Sequence, residues 1–149
     1  MAIEVRRSRS SYSVGLGEVR RYVHHSLGDL RHERRVLAIA SRLFDLTQPL
    51  HQLSNGHRRL LQLGALLHDV GRCHGDRRHH IRGSRMVLAS HTLQLADEER
   101  EIAAYLTRFH RGRLPRWGEG LDDASDENYR QAMVLLALLR AADSLDSCW

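Results

Sequence analysis

Residues 63–71, Leu63-Gly64-Ala65-Leu66-Leu67-His68-Asp69-Val70-Gly71, begin as apolar helix and end on an imidazole and a carboxylate side by side. A helix that must be buried rarely carries two ionisable groups at its end unless something charged meets them there, because an unpaired buried charge loses its hydration without replacement. The pair therefore predicts a metal ion at that end, with His68 and Asp69 as ligands. The rest of the chain has to bring partners to the same point.

That chain is written in helical periodicity. Its apolar content is mostly Leu and Ala, with 2 prolines and 5% aromatics, a composition that favours helix over strand. Apolar residues recurring every three to four positions predict helices over 18–27, 29–46, 57–69, 83–90, 97–110 and 127–145. The expected fold is all-α: one compact bundle of about six to seven helices. Pro49 and Ser54-Asn55-Gly56 read as breakers that place 47–56 in a turn. Gly64, one turn before His68, predicts the close approach of another backbone. Residues 112–126, rich in Gly and containing Pro115 and Trp117, form the longest expected connection, and long loops near a site tend to be lids or substrate walls. Residues 1–12 are polar, basic and serine-rich, and are expected to be a flexible arm ahead of the helical domain at 13–149. An excised piece of a longer chain fits both ends.

All 23 basic residues are arginine, and the formal net charge is +5. The planar guanidinium fork suits bidentate phosphate contacts, so a phosphorylated small molecule or a polyanion is favoured over a neutral partner. Nucleic acid is disfavoured, since no aromatic stacking pattern accompanies the arginines. Cys73 and Cys148 form neither a metal-type pair nor a disulfide framework. No apolar run of ~18 residues and no signal peptide stand in the sequence. A cytoplasmic location away from membranes is the expectation, and an oligomer is left open.

Three further helices bring an ionisable residue to their inner faces. Four residues before Val36, on the stripe of Val36, Ile39, Ala40 and Leu43, lies His32. The stripe of Ile102, Ala103, Leu106 and Phe109 ends at His110. Ala132, Leu136 and Leu139, continued at helical spacing, reach Asp143 inside the most apolar helix. Together with His68 and Asp69, these groups argue for one common centre. Imidazole and carboxylate suit manganese, iron, nickel or zinc rather than a thiolate-loving metal, with magnesium as a further candidate. His79 or His80, from the charged loop after Asp69, makes the set large enough for two ions bridged by Asp69, and His80 is the favoured one.

His32, His68-Asp69 and Asp143 in that order resemble the signature of the HD-domain superfamily of metal-dependent phosphohydrolases. The flanks resemble one branch more closely: Arg31-His32, Arg35-Val36-Leu37, Leu66-Leu67-His68-Asp69-Val70-Gly71, Arg108-Phe109-His110-Arg111 and Leu138-Leu139-Arg140-Ala141-Ala142-Asp143-Ser144-Leu145-Asp146 are similar to the carboxy-terminal HD-type domain of the exopolyphosphatase and guanosine pentaphosphate phosphatase family. The similarity runs from about residue 15 to residue 146. It departs at His79-His80-Ile81-Arg82-Gly83-Ser84, which has glycine where the family often places a further histidine before serine.

The resemblance implies an HD-type helical domain holding one or two divalent transition-metal ions. It implies hydrolysis of a phosphate ester or polyphosphate by metal-activated water, with Asp69 and His68 at the catalytic centre. Arg72, Arg77, Arg78 and Arg111 are the candidates to clamp phosphate. The competing expectation is a non-catalytic module that binds polyphosphate or regulates an actin-like phosphatase domain, because in that family the polyphosphate chemistry resides in actin-like amino-terminal domains.

Overall fold

The computed structural model describes residues 14–147. The arm expected at residues 1–12 and Cys148 lie outside the described residues. Six α-helices and one 3-10 turn occur among those described, with no strand: α1 (Leu16–Leu27), α2 (Arg31–His51), α3 (Asn55–Leu67), the 3-10 turn (Val70–His74), α4 (His79–Ala89), α5 (Asp97–Phe109) and α6 (Asp126–Asp146).

The bundle is built around α3. From Leu60 to Leu67 every residue of this helix except Gln62 is buried, so it is apolar all round, the pattern of a helix that others enclose. It packs against α1, α2, α5 and α6. Leu61, Leu63, Leu66 and Leu67 have no exposed surface, and full burial of each stabilises the fold by roughly 1.5–3 kcal/mol. The contact with α5 is close at Gly64, where an added Cβ would lie 2.6 Å from Cδ1 of Leu106. The approach that Gly64 permits is thus by a side chain rather than a backbone. It sets the register of α3 on α5, one turn before His68 on one helix and His110 on the other.

Helix ends follow local chemistry. α1 stops at Gly28, whose left-handed φ of 77° returns its N–H to the His24 carbonyl. Asp29 accepts the Arg31 N–H at the start of α2. Ser125 accepts the Asn128 N–H and caps α6. The expected turn at 47–56 is shorter than the sequence implies, because α2 continues through Pro49 to His51. Pro49 is exposed in the last turn, so the one helical bond it removes leaves a carbonyl at the surface rather than in the core. Gln52, at φ 54°, ends the helix. His51 and His57, which flank this turn, are half-buried: His51 donates to the Phe44 carbonyl and His57 bonds Gln131 on α6.

α4 begins at His79, four residues earlier than expected. It lies against the 3-10 turn through a glycine pair: a Cβ on Gly71 would meet the Gly83 nitrogen at 2.5 Å and its Cα at 2.9 Å. No helix among the described residues is long and apolar enough to cross a membrane.

Candidate metal centre

α3 ends at Leu67, and its buried C-cap residue His68 and the following Asp69 turn into the space between α2, α4, α5 and α6. Asp69 stands at the middle. Its Oδ2 lies 3.6 Å from Nε2 of His32 and 3.8 Å from Nε2 of His68. Its Oδ1 lies 2.9 Å from Nε2 of His79 and 3.4 Å from Nε2 of His110. Asp143 closes the first side, with Oδ1 3.3 Å from His32 and 3.7 Å from His68. Two groups could each hold a metal ion, His32 with His68 and Asp69, and Asp69 with His79 and His110, the ligand atoms of each lying within 4.8 Å of one another.

The four imidazoles are fixed by what their Nδ1 atoms do. His68, His79 and His110 each bond through Nδ1 to the carbonyl three residues earlier: Ala65 at 2.8 Å, Asp76 at 2.8 Å and Thr107 at 2.7 Å. A carbonyl only accepts, so each Nδ1 carries a proton and each ring turns its Nε2 toward the centre. His32 differs, with Nδ1 2.6 Å from Oδ2 of Asp146. Asp146 is in turn held by Arg35 through two bonds of 2.6 and 3.1 Å. Such outer partners orient metal-binding histidines and raise their basicity.

The electrostatics follow from burial and these neighbours. Complete burial pushes His68 down to about 4, so the ring is neutral at pH 7. The Asp143 carboxylate, with help from Asp146 and Asp69, pushes His32 up to about 9 against the effect of burial. Burial disfavours the Asp69 anion, yet the hydrogen bond with His110 and the nearby Arg72 guanidinium outweigh it and hold the carboxyl below the usual range. The centre thus collects the carboxylates of Asp69 and Asp143 and the inward-facing Nε2 atoms of four imidazoles. Nε2 of His79, Nε2 of His110 and an Asp69 oxygen lie within 3.4 Å of one another, a grouping that requires a proton or a cation among them. The donor set is nitrogen and oxygen only, which fits a divalent transition metal.

The structure brings His32, His68, Asp69, His110 and Asp143 together. Of the two loop histidines it is His79, buried, whose ring nitrogen reaches Asp69. His80, the one favoured from sequence, stands outside with its ring centre 5.8 Å from that of His79 and 6.3 Å from that of His110. The physical reason is the earlier start of α4, which turns position 79 inward. Among the arginines, Arg72 contacts Asp69 at 3.0 Å and Asp76 at 3.1 Å. Arg77, Arg78 and Arg111 are exposed, and none of them is within salt-bridge distance of the cluster. Asp146 and Arg35 stand behind His32 without having been among the candidates from sequence, although Asp146 follows Asp143 at a spacing that shares a helix face. Glu33, beside His32, is also buried, and its carboxyl is pushed up by that burial.

No curated protein sequence matches the chain. The family model described as Ppx/GppA phosphatase, domain III, matches residues 19–147. That span includes every residue of the cluster, and the chain belongs to the Ppx/GppA phosphatase domain III family.

Proposed function

We propose that this domain is an HD-type metal-dependent phosphohydrolase that cleaves a phosphate ester or a polyphosphate. The observation that carries the reading is the placement of Asp69, one carboxylate oxygen facing His32 and His68 and the other facing His79 and His110. A carboxylate so placed is the natural bridge between two cations. His32, His68, Asp69 and Asp143 would hold one ion, and Asp69, His79 and His110 the other.

When bound, such ions supply a hydroxide near neutral pH and offset charge on phosphoryl oxygens. The protein's own part is positional. The carbonyls of Ala65, Asp76 and Thr107 hold three rings with Nε2 toward the centre, so these nitrogens need no rearrangement. Arg72 is 40% exposed while touching Asp69, which places a guanidinium at the mouth of the centre where a phosphoryl group would enter. The Asp69 carboxylate can orient a water through either oxygen.

The match to a domain numbered three of a phosphatase supports a second reading, a module that binds polyphosphate and serves an actin-like phosphatase domain without hydrolysing anything itself. Purified protein loaded with manganese and offered bis-p-nitrophenyl phosphate, p-nitrophenyl phosphate and tripolyphosphate separates the two. Turnover abolished by Asp69→Ala supports the hydrolase. Bound manganese with no turnover of any of the three supports the module.

A further inference from the structure

A cleft of about 950 Å³ runs along α5 on the side turned away from the metal centre. Glu101, Tyr105 and Arg108 line it at helical spacing, whereas Ala103, Leu106 and His110 share another face of the helix. Asp97 and Glu98 of the same helix and Asp122 and Asp123 of the connection to α6 line it too, so five carboxylates stand against one guanidinium. All five are exposed, and none has a cation within salt-bridge distance among the described residues. Ile102, Leu121 and Leu88, the last 52% exposed, add apolar surface to the same cleft.

The positive end of the helix dipole accounts for Asp97 and Glu98 in the first turn of α5. It accounts for neither Glu101, a turn further on, nor Asp122 and Asp123. In a chain of net charge +5, five unpaired carboxylates on one concave surface with apolar patches fit a cationic, partly apolar occupant.

The chain itself contains such a segment. Residues 1–13, outside those described, carry Arg6, Arg7 and Arg9 among Ile3, Val5 and Tyr12, with Glu4 as their single carboxylate. Where the described chain begins, the Val14 carbonyl accepts a 2.7 Å bond from Arg59, whose Nε lies 2.6 Å from Glu99 in the first turn of α5. Asp97 and Glu98 share that turn, so the segment joins the fold beside one end of the cleft. Fully extended, it reaches roughly 43 Å, while the stretch of α5 from Asp97 to Arg108 is about 16 Å long. The tether also keeps it at an effective concentration on the order of millimolar, which a separate peptide has to match from solution.

We infer that residues 1–13 dock in this cleft of their own chain, with Arg6, Arg7 and Arg9 pairing with its carboxylates and the apolar residues among them covering Leu88, Ile102 and Leu121. The contact does not depend on what the His-Asp cluster binds or does.

The sequence contains no lysine, so Ser8→Lys in the full chain introduces a unique side-chain amine. Zero-length carbodiimide coupling at low protein concentration, read by peptide mass spectrometry, is expected to join that amine to Asp97, Glu98, Glu101, Asp122 or Asp123. An equal mixture of isotope-labelled and unlabelled protein is expected to give unmixed pairs. Without the lysine, trypsin is expected to cut after Arg6, Arg7 and Arg9 at least about fivefold more slowly in the wild type than in E101Q/D122N/D123N. That difference should vanish in about 1 M salt, where exposed charges are screened. The three substituted carboxylates are exposed, and far-ultraviolet dichroism checks that the variant keeps its helices. Coupling confined to Glu4, or spread over distant carboxylates such as Asp45 and Asp76, overturns the inference. Mixed isotope pairs overturn it by placing the segment in a second copy. Equal trypsin rates in the wild type and the variant overturn it as well, and leave the cleft to a basic partner from outside the chain.

Discussion

His32 Nδ1 lies 2.6 Å from Asp146 Oδ2, and this is the one imidazole of the cluster oriented by a side-chain carboxylate rather than by a backbone carbonyl. A carboxylate partner makes the opposite nitrogen a stronger donor than a carbonyl does. The group of His32, His68 and Asp69 is therefore expected to hold its cation more tightly than the group of Asp69, His79 and His110.

Asp146→Ala removes that partner and leaves Arg35 facing the ring alone. We expect metal affinity at the His32 side to fall by about 10–100-fold, the usual effect of losing an outer-shell partner. Asp146→Asn should fall between, since its amide oxygen still accepts the Nδ1 proton but carries no charge. Manganese titration by calorimetry measures both, and equal affinities in wild type and Asp146→Ala would refute a positioning role.

The two halves of the centre should come apart by mutation. His79→Ala removes a ligand-type group only from the Asp69, His79 and His110 side, and His32→Ala only from the other. Each is expected to lower bound metal from two ions per chain to one, and Asp69→Ala to lower it to none. Elemental analysis of the purified variants reads this directly. A His79→Ala protein that still holds two ions would remove His79 from the ligand set.

How much of this was legible in the sequence depended on whether a stripe could be extended. His32, His110 and Asp143 each continue an apolar run at helical spacing, and the structure brings all three to the His68-Asp69 pair. His79 obeys the same rule, since Val87 and Gly83 stepped back by four reach it, but its helix was expected to begin only at residue 83. With no helix to carry the stripe, facing could not be read, and His80 was preferred. Pro49 misled in the opposite way, because an exposed last turn tolerates what a helix interior does not. The glycine pair at 71 and 83 has no sequence signature at all. It is a contact between two backbones, and only the tertiary arrangement shows it.

That glycine pair gives the third prediction. A methyl group on Gly71 would lie 2.5 Å from the Gly83 nitrogen and closer still to the His79 carbonyl, both backbone atoms that cannot swing aside. Gly71→Ala must therefore push α4 away from the 3-10 turn, and His79 moves with it. We expect a loss of stability of about 1–3 kcal/mol, the usual cost of overpacking, together with loss of the second bound ion. Chemical denaturation and metal analysis check the two parts. A variant that keeps full stability would mean that the two segments are not in the contact described.

The fourth prediction concerns the connection at 112–125, which follows His110. Glu119 accepts two bonds from the Arg113 guanidinium, 2.8 and 2.6 Å, and one from the Arg116 N–H at 2.9 Å. These bonds, Arg113 first, pull its carboxyl down to about 2 from an ordinary 4.5. A folded value below the unfolded one means that the stabilisation is complete above about 4.5 and lost as the pH falls through about 2. The loop is also anchored by the Tyr129 hydroxyl on the Arg116 carbonyl and by Arg140 on the Gly112 carbonyl, two bonds that involve no carboxylate. Hydrogen exchange is thus expected to show amides 113–119 losing protection between pH 4.5 and pH 2 while α3 stays protected. Glu119→Gln should show the faster exchange already at pH 7 and no further acid step. If the variant exchanges like wild type at pH 7, the Arg113–Glu119 pair is not what holds this turn.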